Sequence, residues 1–142
     1  MKNLVLLSLV LLTAYSQIIK VQSLIEYEEL VDNFQGTVII QFDSRTCELC
    51  KENGYTLEQM SRMDPQNVKV VYVDSQKLPM VALYEDVSDL PAFVFYYYGV
   101  LQQKYTGNSN SKLKEIVDKL NSYDNAKYQK RPISNLDETE KA

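Results

Sequence analysis

The 142-residue chain contains no histidine and no tryptophan, and it has only two cysteines. Without histidine it has no Ser–His or Cys–His nucleophile and no imidazole ligand for a metal. Two cysteines supply only half of a four-ligand zinc site, so we predict no metal. Positive charge is also scarce, because 15 Lys and Arg stand against 19 Asp and Glu, a formal net charge of −4. This balance argues against a nucleic-acid partner, since such proteins usually carry a basic face.

A long apolar run occurs only at the N-terminus, where residues 4–12 follow Lys2 and precede the small residues Ala14 and Ser16. A positive start, a short apolar centre and small residues before a cleavage point are typical of a secretory signal peptide. A membrane span would need about 20 apolar residues, and this run is too short. The run also has no polar face and no helix-start signal, which argues against a helix of the fold. We therefore predict a signal peptide at residues 1–16 that is cleaved before Gln17. The mature protein should then be free of the membrane, in the endoplasmic reticulum lumen or secreted.

The remaining chain alternates between helical and strand-like patterns of apolar residues. The patterns predict helices at residues 23–34, 47–63, 78–87 and 109–123, the last capped by Asn110 or Ser111. They predict strands at residues 37–43, 68–74, 92–98 and 100–107. Crossovers through helices make strands parallel, whereas the tight turn at Gly99 makes the last two antiparallel. This order predicts an α/β fold, a mixed central sheet with helices on both faces, over residues 17–124. Residues 125–142 are polar and charged without a period and are predicted to be a flexible tail.

The two cysteines, Cys47 and Cys50, are separated by only two residues. A bridge across so small a loop restricts the unfolded chain little, so it would be a poor structural staple. The close spacing instead suits a dithiol that opens and closes. Cys47 stands where a helix is predicted to begin, and the unpaired N–H groups there favour the thiolate. This should lower the pKa of Cys47 below the usual value of about 8.5, so that Cys47 attacks a disulfide and Cys50 resolves the product.

Three segments together resemble the thioredoxin superfamily, which includes the protein disulfide isomerase domains. They are VIIQFDSRTCELC (residues 38–50), VSDLPAFVFYYYG (87–99) and YTGNSNSKLKEIVDKL (105–120). The resemblance covers about residues 23–123 and implies a thioredoxin-like fold with Cys47 and Cys50 as the catalytic pair. It also implies a cis bond between Leu90 and Pro91. Leu90, Pro91 and Thr46 are the residues expected to contact a substrate peptide.

The sequence departs from the superfamily pattern around the cysteines. Thr46 stands where a tryptophan is usual, and Gln41 stands where many members bury an acid that assists proton transfer. Val70 occupies the place of the lysine that often partners that acid. Because an amide does not titrate, any proton relay here must use water or another group.

Glu48 and Leu49 lie between the cysteines, where thioredoxins carry Gly-Pro and disulfide isomerases carry Gly-His. The charge of Glu48 opposes thiolate formation at Cys47, and Arg45 and Lys51 are expected to offset part of this effect. We therefore predict a more reducing couple than that of a Gly-His site.

These observations predict a thiol–disulfide oxidoreductase of the secretory pathway, similar to protein disulfide isomerase. It would be a monomer that exchanges disulfides with protein or peptide thiols and needs no cofactor. The first alternative is a binding module in which the Cys47–Cys50 disulfide is inert. The second is a redox sensor whose cysteine pair merely records oxidation.

Overall fold

The computed structural model describes residues 18–123. The predicted signal peptide and the predicted tail lie outside these residues. The strands are β1 (Ile19–Lys20), β2 (Thr37–Asp43), β3 (Val68–Asp74), β4 (Ala92–Tyr97) and β5 (Val100–Thr106). The α-helices are α1 (Leu24–Asn33), α2 (Gly54–Met63), α3 (Pro79–Tyr84) and α4 (Asn110–Asn121). A 3₁₀ helix at Glu48–Asn53 precedes α2.

The five strands form one sheet in the order β1-β3-β2-β4-β5. β3 runs parallel to β1 and β2, whereas β4 is antiparallel to both β2 and β5. The predicted mixed α/β sheet is confirmed. The edge strand β1 was not predicted, because a strand of two residues shows no period of its own.

Apolar side chains cover both faces of the sheet. One cluster joins Val38, Ile40 and Phe42 of β2 to residues of α1 and α3. The other joins Ile39 of β2 to residues of α2 and α4. Odd and even positions of β2 thus enter different clusters, as the period of two requires. β2 is buried on both sides, which explains its nearly continuous apolar sequence and makes it a rigid support for the segment that follows it.

The helix predicted at residues 47–63 is present, but its first part is not α-helical. Residues 48–53 form the 3₁₀ helix, and the α-helix begins only at Gly54. The side chain of Asn53 is buried and donates to the Asn108 backbone oxygen at 2.9 Å and to Asn110 at 2.7 Å. Cys47 therefore precedes a short 3₁₀ segment rather than the first turn of a long α-helix.

Serine residues cap two of the predicted helices. Ser23 caps α1, since its hydroxyl accepts a hydrogen bond from the Glu26 N–H at 3.2 Å. The cap of α4 is Ser109, whose hydroxyl accepts from the Lys112 N–H at 3.3 Å. The predicted cap at Asn110 or Ser111 was therefore one or two residues late. Within residues 18–123, no helix combines the length and the apolar character that a membrane crossing requires.

Candidate redox site

The two cysteines form a disulfide directly after the central strand β2. A turn connects them to the strand, in which the Cys47 N–H donates to the Ser44 backbone oxygen at 3.2 Å. The two residues differ in exposure, since Cys50 is 1% exposed whereas Cys47 is only half-buried. A partner molecule approaching from solvent therefore meets Cys47 first.

Gln41 lies below the disulfide and is 4% exposed. Its side-chain N–H donates to the backbone oxygen of Cys50 at 3.1 Å. The amide thus holds the segment that carries the second cysteine. Val70, which pairs with Ile39 in the register of β2 and β3, is also fully buried. An uncharged pair thus occupies the positions where the superfamily pattern has an acid and a lysine.

The bond between Leu90 and Pro91 is cis, as the resemblance implied. Phe42 of β2 pairs with Ala92 of β4, so Pro91 lies at the sheet end from which the disulfide segment departs. The Pro91 backbone oxygen accepts from the Gly107 N–H at 3.0 Å, whereas Leu90 makes no backbone hydrogen bond within residues 18–123. Leu90 thus offers a free N–H and C=O at the same end of the sheet.

Thr46 and Glu48 flank Cys47 and are both exposed. The Thr46 hydroxyl lies 3.1 Å from that of Ser44, which fixes it over the turn. Glu48 forms an ion pair with Lys51 at 3.5 Å, which places the charge of Lys51 next to that of Glu48. Because both side chains are largely exposed, this pair contributes little to stability.

The sequence analysis passed over Asp43, which the structure places beside the disulfide. A carboxylate oxygen of Asp43 and the two cysteine sulfurs all lie within 4.8 Å of one another. In the described part of the chain, no other carboxyl group lies so close to both sulfurs. Asp43 follows Gln41 by two positions on β2, so strand periodicity places both on one face. This two-residue spacing was the feature of the sequence from which the position of Asp43 could have been predicted. A carboxylate and two sulfurs are also metal donors in principle, but in the disulfide the two sulfurs are bonded to each other.

Burial raises the pKa of Asp43 above its ordinary value of 3.8, and the nearby charge of Asp74 raises it further. The Ser44 N–H, the Tyr72 hydroxyl and the charge of Lys51 act in the opposite direction but do not cancel the increase. Burial, together with the charge of Asp43, also raises the pKa of Tyr72 to about 12. Tyr72 therefore stays protonated at neutral pH and donates to the carboxylate.

Comparison with known proteins gives this site its family. The model of the thioredoxin family matches residues 18–120. The chain belongs to the thioredoxin family. Mitochondrial thioredoxin 3 of Saccharomyces cerevisiae, in its oxidised form, is 26% identical, with a TM-score of 0.68 over 76% of this chain and 100% of the yeast chain.

Two further thioredoxin structures share the fold at lower identity. Thioredoxin of Trypanosoma brucei brucei is 18% identical, with a TM-score of 0.70 over 77% of this chain and 95% of that one. Plasmodium falciparum thioredoxin is 24% identical, with a TM-score of 0.66 over 72% of this chain and 98% of that one.

The predicted superfamily and fold class are confirmed. The protein is a thioredoxin-type redox domain with a Cys-x-x-Cys pair, which supports thiol–disulfide oxidoreductase activity in general. The individual roles of Cys47, Cys50, Thr46, Leu90 and Pro91 stay predictions, as do the tuning roles of Gln41 and Glu48.

Proposed function

We propose that this protein exchanges disulfides with protein substrates through Cys47 and Cys50 in the secretory pathway. The observation that carries the proposal is the unequal exposure of a bonded cysteine pair beside a cis-proline. Cys47 is the more accessible cysteine of the pair, whereas Cys50 is covered. Leu90 offers backbone groups to which an extended substrate segment can bind, as in strand addition.

The exchange proceeds in two steps that conserve electrons. The Cys47 thiolate attacks a substrate disulfide, which forms a Cys47–substrate bond and releases one substrate thiolate. The Cys50 thiolate then attacks the Cys47 sulfur, which closes the Cys47–Cys50 disulfide and releases the second substrate thiolate. The substrate gains two electrons and the dithiol loses two. The reverse sequence oxidises a substrate dithiol.

The test is reduction of a disulfide-linked protein such as insulin by the parent and by two variants. Cys47→Ser should lose all activity, because it removes the accessible nucleophile. Cys50→Ser should accumulate a mixed disulfide between Cys47 and the substrate, and adding a reductant should release the substrate. If Cys47→Ser keeps full activity, the exchange mechanism is wrong. If the parent and Cys47→Ser are both inactive in reduction yet bind the substrate equally well, the protein is a binding module.

The secretory part of the proposal depends on the N-terminal sequence and has its own test. The full chain should be expressed in a eukaryotic cell, and its mature N-terminus determined by mass spectrometry. Entry into the secretory pathway predicts an N-terminus at Gln17 and a product in the lumen or the medium. A control that lacks residues 2–16 should stay in the cytosol. A full-length product that keeps residues 1–16 in the cytosol would contradict the localisation and leave the exchange chemistry untouched.

A further inference from the structure

We propose that Asp43 is the proton acceptor for Cys50 in the second step of the exchange, an inference that builds on the proposed function. The step requires the Cys50 thiol to lose a proton before it can attack. Gln41 cannot accept that proton, because its amide does not titrate and its N–H already donates to the Cys50 backbone. Water or a different base must therefore reach the thiol of Cys50, a residue that is 1% exposed.

The geometry points to Asp43 as that base. Its carboxylate lies within 4.8 Å of both sulfurs. One water molecule can bridge a separation of this size, so the carboxylate is within the reach that general-base catalysis requires. Asp43 lies on the same rigid strand as Gln41, so its backbone is fixed relative to the cysteine segment.

The neighbouring groups are unsuited to the task. The titratable and charged groups around the Asp43 carboxyl are Tyr72 and Asp74 on β3, Lys51 on the 3₁₀ helix and the two sulfurs. Tyr72 is protonated at neutral pH, and Lys51 is a cation that pairs with Glu48. One carboxylate oxygen of Asp74 accepts from the N–H groups of residues 76 and 77.

The proposed step balances as follows. In the mixed disulfide, the proton of the Cys50 thiol moves to a carboxylate oxygen of Asp43. The Cys50 thiolate attacks the Cys47 sulfur, the bond from Cys47 to the substrate breaks, and the substrate leaves as a thiolate with the bonding electron pair. Asp43 then returns its proton to the departing thiolate or to water. In the reverse direction, protonated Asp43 supplies the proton to Cys50 as the disulfide opens.

A charge effect and a proton-transfer role predict opposite results. If the charge of Asp43 merely opposes both thiolates, the substitution Asp43→Asn should accelerate both steps. If Asp43 accepts the proton, the first step should be unchanged or faster and the second step should slow. General-base catalysis contributes about 10²- to 10⁴-fold, so we expect the second step to slow by about 100-fold at pH 7.

The experiment uses the reduced protein and the small disulfide 5,5′-dithiobis(2-nitrobenzoate). Attack by Cys47 releases one coloured thionitrobenzoate, and attack by Cys50 on the adduct releases the second. The Cys50→Ser variant isolates the first step. Asp74→Asn is the matched control, because it removes one nearby charge while keeping an acceptor oxygen. Its second step should keep the parent rate at pH 7.

The pH profile separates this role from a merely structural one. Asp43 must be ionised to accept a proton, so the rate of the second step should fall as the pH drops through the pKa of Asp43. Since that pKa is raised, the acid limb should lie above the range of an ordinary aspartate. Asp43→Glu should retain this limb, whereas Asp43→Asn should lose it.

The proposal is overturned if Asp43→Asn performs the second step at the parent rate or faster. It is also overturned if the pH profile of the second step in the parent shows the ionisation of the Cys50 thiol alone. This second test needs only the parent, so it can be made even if the variants do not fold. A normal first step in Asp43→Asn with a slow second step supports it. Failure of the parent to release any thionitrobenzoate would instead contradict the proposed function itself.

Discussion

Replacing Gln41 by glutamate is the sharpest perturbation of the buried support below the disulfide. The amide is 4% exposed and donates to the Cys50 backbone oxygen at 3.1 Å. A carboxylate at this position would face that oxygen without a proton to donate, and Asp43 would add a like charge two residues away. The glutamate will therefore bind a proton in the folded state, which means that its pKa is raised above the ordinary value of about 4.3.

The size of the effect follows from the cost of holding that proton. At pH 7 the cost is about 1.36 kcal/mol per pH unit over about 2.7 units, or about 3.7 kcal/mol. This value is an upper limit, because the side chain loses its proton if charge burial costs less. As the pH falls toward about 4.3, the cost should vanish, because the neutral acid can donate to Cys50 as the amide does.

The assay is urea unfolding of parent and variant side by side, from pH 7.5 to pH 4.5. With a slope of about 1.5 kcal/mol per molar urea, the midpoint of Gln41→Glu should lie as much as about 2.5 M below that of the parent at pH 7. The gap should close as the pH falls. Gln41→Leu is the matched control, which loses about 1 kcal/mol at every pH. If Gln41→Glu equals the parent at pH 7, or if its deficit does not depend on pH, the buried donor role of Gln41 is refuted.

Three further outcomes follow from the same structure. Tyr96→Phe should lower the free energy of unfolding by about 1.5–3 kcal/mol, since the Tyr96 hydroxyl donates to the buried Glu85 carboxylate at 2.6 Å. An unchanged midpoint of urea unfolding would contradict this role. Burial and the neighbouring Glu85 raise the pKa values of Tyr27 and Tyr96, so the stability that these two hydroxyls contribute is complete below pH 10. Above pH 10 the free energy of unfolding should fall by as much as about 1.4 kcal/mol per pH unit for each tyrosine. Unfolding measurements from pH 8 to 11 should show a smaller slope for Tyr96→Phe than for the parent. Equilibration with glutathione should show that the Cys47–Cys50 couple is reducing, with a reduction potential far from about −120 mV. Glu48→Gln should raise this potential by about 5–20 mV, because it removes a charge that opposes the Cys47 thiolate. A lowered potential would contradict the tuning role of Glu48.

The sequence predicted the strands better than the helix that carries the cysteines. β2 and β3 begin and end at the predicted residues, because a strand covered on both faces reads as a continuous apolar run. The first turns of the predicted helix at residues 47–63 have no such constraint. Cys50 is buried there while Leu49 is exposed, and the buried Asn53 side chain is held by the loop before α4. That contact joins residues 55 positions apart, so no local pattern could predict it.

The candidate site shows the same division between local and distant information. The cysteine pair and the cis-proline were recognisable in the sequence, since each lies in a short segment with a characteristic neighbourhood. The replacement of an acid by Gln41 was also recognised, and it predicted that any proton relay uses water or another group, but not which group. Residues 41 and 43 face the same side of the strand, so an acid at either position lies on the face that carries the cysteine segment.

The two positions differ in the environment they provide. Position 41 is fully buried, whereas Asp43 is half-buried and lies near a phenol and a lysine. An acid at position 43 is therefore less strongly desolvated than one at position 41 would be, and its pKa is correspondingly less displaced. A less strongly desolvated acid loses its proton more readily. In the proposed step Asp43 accepts the Cys50 proton, while the amide of Gln41 holds the cysteine segment in place.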